Sequence, residues 1–147
     1  MRTARSVLAF VVAAAAVTSC VRVRVEQSGP SSPARPAGVE AIALTGDTLR
    51  AFPLSAAVRT RYEAQLAEAK RAYDRTPTNA DSIIWYARRL GYLGRLRESI
   101  AVYTRGIELY PNDPWMYRHR GHRYVSVREF DNAIRDLERA WTLVEGK

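Results

Sequence analysis

From residue 56 onward apolar residues recur every three or four positions in short blocks, the spacing that gathers them on one side of an α-helix. Ile83, Tyr86, Ala87, Leu90 and Leu93 form one stripe, and Leu96, Ile100, Tyr103, Ile107 and Leu109 form most of the next. Gly94 separates the two, and Pro111 with Pro114 stops the second. Carried to the end of the chain, the pattern predicts five helices, over 56 to 75, 81 to 93, 97 to 109, 114 to 127 and 130 to 144.

The stripes also repeat. Residues 80–113 laid over 114–147 without a gap bring Ala87 onto Gly121, Leu90 onto Tyr124, Leu93 onto Val127, Leu96 onto Phe130 and Ser99 onto Ala133. Ile100 then meets Ile134, Tyr103 meets Leu137, Gly106 meets Ala140 and Leu109 meets Leu143. Size and polarity are kept at nearly every pair, a period of 34 residues. The small residues let two antiparallel helix backbones approach, where larger side chains would wedge them apart. Tyr62, Leu66, Ala69, Ala72 and Pro77 lie one period before Leu96, Ile100, Tyr103, Gly106 and Pro111, so the first helix reads as the second half of a further unit.

This helix-turn-helix unit resembles the tetratricopeptide repeat (TPR), on Ala87, Leu90, Ser99, Tyr103, Gly106 and Pro111 in one copy and Gly121, Tyr124, Ala133, Leu137 and Ala140 in the other. It departs from the usual pattern with Ile83 and Tyr117 in place of an early bulky aromatic, Gly106 for Ala, and Glu145 for the closing Pro. The resemblance implies an all-α, TPR-like α-solenoid of about two and a half repeats: a half repeat over 56–79 and repeats over 80–113 and 114–147. Such units bury their apolar faces on neighbours, and about three with a polar cap are the norm. Here Ile134, Trp141 and Val144 point to where another unit would stack. That edge either takes a second copy or another protein, or the chain is shorter than its relatives.

Ahead of the repeats lies a different kind of sequence. Arg2 and Arg5 precede an uncharged run from Val7 to Val17, too short for a permanent span, which needs about 20 apolar residues. It reads as a secretory signal over 1–19. Val17-Thr18-Ser19-Cys20 resembles the bacterial lipobox, which implies diacylglycerol on the Cys20 thiol and cleavage before it. Cys20 is the one cysteine of the chain, so a disulfide framework and a Cys-based zinc cluster are both excluded. Val21 in place of Asp argues, by the same resemblance, for the periplasmic face of an outer membrane if the cell is Gram-negative. Pro30, Pro33, Pro36, Ser31, Ser32 and Gly38 make 20–55 read as a flexible linker, with Val39 to Leu44 able to rest on the domain.

Charge sharpens the functional expectation. The chain carries +8, and residues 56–147 hold 17 basic and 12 acidic residues. Arg118, Arg120, Arg123 and Arg128 stand between 114 and 128 without an acid, while acids dominate the helix that follows. In TPR stacks the first helix of each unit lines the inner groove, so the resemblance implies a basic one. Helical spacing names its candidates as Trp85, Arg88, Tyr92, Trp115, Arg118, His119 and His122. Guanidinium forks and flat aromatics suit an acidic extended peptide.

His119 and His122 share a helix face, which raises a metal-dependent enzyme subunit as the alternative. No third ligand lies near in sequence, flanking arginines repel a divalent cation, and no phosphate loop or nucleophile elbow appears. The expectation is therefore a non-enzymatic protein-binding module without cofactor or metal, anchored to a bacterial envelope membrane through Cys20. A pI near 10.1 raises nucleic acid as a partner; export sets the protein apart from cytoplasmic nucleic acid and removes it.

Overall fold

The computed structural model describes residues 38–145; the signal, the Cys20 anchor and the first part of the linker lie outside them. Five helices follow one another: α1 (Ala56–Arg75), α2 (Ala80–Tyr92), α3 (Leu96–Leu109), α4 (Pro114–Ser126) and α5 (Phe130–Val144). All five fall within two residues of the expected bounds. The starts of α2 and α4 are set by side-chain caps: Asn79 accepts a hydrogen bond from the Ser82 amide at 2.9 Å and Asp113 one from the Trp115 amide at 2.8 Å. Each satisfies a donor that the first helical turn leaves open. Pro114 fills the first position of α4, where its missing N–H costs nothing.

The helices pack as consecutive neighbours, α1 on α2, α2 on α3, α3 on α4 and α4 on α5, with α2 also touching α4. Ile83, Ala87, Tyr103 and Met116 form the buried centre, drawn from α2, α3 and α4. Small residues set the spacing as their sequence positions imply. The Ser99 hydroxyl donates to the Ala87 carbonyl at 2.7 Å, a bond possible only where the α2 and α3 backbones nearly touch. At Gly106 a Cβ would lie 2.6 Å from Met116 Sδ and 2.9 Å from Ile83 Cγ2. Buried packing of this kind, one helix pair against the next, is what makes the 34-residue period a TPR-like stack rather than five loose helices.

Between α4 and α5 the join is polar. Asp136 accepts from Arg120 Nε at 2.7 Å and Nη2 at 2.8 Å, and Arg120 Nη1 donates to Thr104 of α3 at 3.0 Å. Arg120, read in sequence as one of the arginines of a basic helix, therefore turns away from the others and ties three helices together.

The linker expectation for 20–55 needs correction where it overlaps the described residues. Strands β1 (Ala41–Ile42) and β2 (Thr48–Leu49) pair antiparallel, Ala41 with Leu49 and Ile42 with Thr48. Gly46 supplies the left-handed residue of the connecting turn, φ 89°. Val39 and Ala41 are buried, Arg97 Nη2 of α3 donates to the Glu40 carbonyl at 3.1 Å, and Ala51 sits against Gly94 between α2 and α3. Alternating small apolar residues beside a helix turn gain enough burial to order a segment whose composition alone reads as spacer.

Candidate protein-binding face

α2 and α4, the first helices of the two full repeats, stand side by side. Arg123 of α4 reaches across to α2, where its guanidinium lies so close to Gly91 that a Cβ there would fall 2.7 Å from Nη1. Gly91 leaves room for the arginine to cross. On α2 the Arg88 guanidinium lies 4.5 Å from the Trp85 ring centre and donates from Nη2 to the Tyr92 hydroxyl at 3.1 Å. Tyr92 in turn packs on Tyr62 of α1, ring centres 5.7 Å apart. On α4 the Arg118 guanidinium lies 5.7 Å from the Trp115 ring centre.

His119 sits at the middle of this face. Its ring stacks between Tyr103, 5.9 Å away and 25° off parallel, and Trp115, 6.4 Å away and 29° off. Burial first, and then the positive charges of Arg88, Arg118 and Arg123 with His122, push its pKa down to about 4. His122 is held below the usual imidazole value for the same reasons, burial and then Arg118 and Arg123. Both rings are neutral near pH 7 and offer hydrogen bonds without adding charge.

Among the described residues no carboxylate pairs with Arg88, Arg118 or Arg123, whereas Arg59, Lys70, Arg95, Arg97 and Arg120 each have one. Arg88 spends one Nη2 hydrogen on the Tyr92 hydroxyl, and the remaining guanidinium donors of this set suit an anionic partner. Trp85 and Trp115, 45% and 56% exposed, present flat surface to solvent. Their rings are stiffened by the arginines stacked on them.

The structure places all seven expected residues on α2 and α4 but divides their surroundings. Trp85 lines a trough of about 480 Å³ with Ala69, Ala72, Ser82 and Arg89, where Arg89 also donates to Gln65 of α1 at 2.9 Å. Trp115, Arg118 and His122 line a separate trough of about 580 Å³ against α5. Arg88, Tyr92 and His119 line neither trough. Sequence reading missed Arg123 and Gly91 as members of this face; the signals were Arg123 one turn beyond His119 and a glycine inside an otherwise well-formed helix.

Among the described residues no group of three or more His, Cys, Asp and Glu side chains is placed to hold a metal ion, and no helix is long and apolar enough to cross a membrane.

The stack of helix pairs defines a TPR-like helical repeat protein. No protein-family model and no curated protein sequence matches the chain. Solved structures do match: MamA MSR-1 C2 at 21% identity and TM-score 0.54, over 58% of this chain and 49% of that one. A second, MamA AMB-1 P212121, matches at 22% identity and TM-score 0.55, over 60% of this chain and 48% of that one. MamA is itself TPR-like, and at this identity the likeness speaks for the fold alone. The chain spans about half the length of these structures.

Proposed function

We propose that this protein is a non-enzymatic docking module that captures acidic, extended peptide segments of partner proteins on the face shared by α2 and α4. The observation that carries the reading is the set of three guanidiniums, Arg88, Arg118 and Arg123, whose charges act on a neutral His119 and which pair with no carboxylate among the described residues. Carboxylates of a ligand would replace the water around those forks, while Trp85, Tyr92 and Trp115 supply contact area at small entropic cost. The lipobox-like run ending at Cys20 supports a membrane-anchored lipoprotein of the bacterial envelope, outer-membrane and periplasmic in a Gram-negative cell. The apolar edge at Ile134, Trp141 and Val144 supports a contact with a second copy.

The docking reading is tested by fluorescence anisotropy with a labelled Glu-rich peptide and its Gln-substituted counterpart. The full chain binds the first and not the second, more weakly as salt rises. Arg88→Glu lowers affinity by about tenfold or more, the scale of losing one desolvated charge contact. Equal binding of both peptides, or no change in Arg88→Glu, removes the face from the account. Incorporation of a labelled fatty acid into the wild type and not into Cys20→Ser tests the anchor.

A further inference from the structure

We infer that the exposed apolar face of α5, with the trough it shares with α4, is a self-association surface on which two copies pair α5 with α5 in parallel about a two-fold axis. This deepens the second-copy reading of that edge; the seat shares Arg118 with the docking face, so the two are told apart by Trp141 and Glu138 on one side and Arg88 on the other.

What fills such an edge is visible one repeat earlier. The slot between α2 and α3 is occupied by α4, which sets Met116 against Gly106 and stacks His119 on Tyr103. The corresponding slot 34 residues on, between α4 and α5, is the trough of about 580 Å³ floored by Leu137, Ala140, Trp141 and Val144. It has the form of a seat for an apolar helix face.

α5 carries that face. Phe130, Ile134, Leu137, Trp141 and Val144 follow one another at intervals of four, three, four and three residues, the spacing of a two-helix seam. Trp141 is 64% exposed and Ile134 54%. Single exposed apolar side chains are ordinary, but a stripe running the whole length of a 15-residue helix, about 22 Å at 1.5 Å per residue, marks a contact surface.

Charge selects the occupant and its direction. One flank of α5, through Ala133, Asp136 and Ala140, is buried on α4. The opposite flank carries Asp131, Glu138 and Glu145, all exposed, each one residue after a seam position. The α4 edge of the trough carries Arg118 and His122. A two-fold axis running along α5 lays the acidic flank of each copy over the Arg118 edge of the other, and does so twice. Antiparallel pairing instead sets acid beside acid and arginine beside arginine, which like-charge repulsion disfavours. In the parallel arrangement seam residues meet their own copies, Trp141 on Trp141 and Val144 on Val144.

The test uses the full chain with Cys20→Ser, which removes the lone thiol, in mild detergent, with mass measured by light scattering. The expected result is a dimer whose dissociation constant rises about tenfold or more in Trp141→Glu, with far-ultraviolet circular dichroism unchanged. Glu138→Lys and Arg118→Glu each weaken it, and the two together restore it. Val144→Cys added to this background cross-links to itself under oxidation. A monomer at every concentration, a dimer indifferent to Trp141→Glu and Glu138→Lys alike, or cross-linking only between Phe130→Cys and Val144→Cys chains overturns the proposal. Peptide capture measured on Trp141→Glu separates its fate from that of the docking face.

Discussion

Gly94 and Arg128 stand 34 residues apart at the same place in successive repeats, and both hold a left-handed backbone, φ 75° and 62°. Each closes the helix before it in the same way. The Arg95 amide donates to the Leu90 carbonyl at 3.0 Å and the Gly94 amide to Gly91 at 3.1 Å; Glu129 donates to Tyr124 at 2.9 Å and Arg128 to Val125 at 3.1 Å. This paired pattern caps helix ends and favours glycine at the left-handed position.

A Cβ in that region costs about 1 kcal/mol. Arg128→Gly therefore raises the stability of the domain by about 0.5 to 1 kcal/mol. Gly94→Ala lowers it by about 1 kcal/mol or more, because the new Cβ also meets Ala51 Cβ at 2.4 Å. Urea unfolding of the two variants, shifting in opposite directions, checks the pair.

The join between α4 and α5 depends on Arg120 and Asp136, whose side chains are only 15% and 8% exposed. Removing one partner strands a buried charge. Asp136→Ala is expected to lose about 3 kcal/mol, and Arg120→Met with Asp136→Leu recovers most of it, since the pair's attraction largely offsets its desolvation. Chemical denaturation of the single and double variants gives the comparison.

Two glycine-to-alanine changes have opposite signs. Gly106→Ala drives a methyl into Ile83 and Met116 in the packed centre and is expected to lose about 1 to 2 kcal/mol. Gly91→Ala meets only the mobile end of Arg123 and gains helix propensity, about 0.5 kcal/mol or more. The displaced Arg123 alters peptide affinity, however, so anisotropy and melting temperature move independently in Gly91→Ala.

His119 makes stability depend on pH. Its folded pKa of about 4 lies below the unfolded value of 6.5, so between these limits the unfolded chain binds more protons. The stabilisation is complete above about pH 6.5 and is lost as pH falls toward 4. Because the ring is half-buried and solvent screens its neighbours, the loss is on the order of 1 kcal/mol. Melting temperatures at pH 7 and pH 5 should fall further apart in the wild type than in His119→Gln. A bound Glu-rich peptide offsets the arginine field, so the midpoint followed by NMR rises; a fixed midpoint counts against the docking face.

Much of this was legible in the residues. The three-and-four spacing located the helices because an amphipathic stripe must face something apolar, and the 34-residue match tied Gly106 to Ala140 because close backbones admit only small side chains. The hairpin over Ala41 to Leu49 was not, since two-residue strands leave too little alternation to read, and their order comes from burial beside α2 and α3.

The sequence by itself determined the repeat, its helices and which of them carry arginine, since these follow from local spacing. Only the tertiary structure decided which arginines are available. Arg120 and Arg118 lie two residues apart on α4, yet one is buried against Asp136 and the other stands over Trp115. A helix turns 100° per residue, so neighbours in sequence face different partners, and the partners come from helices brought together by packing alone.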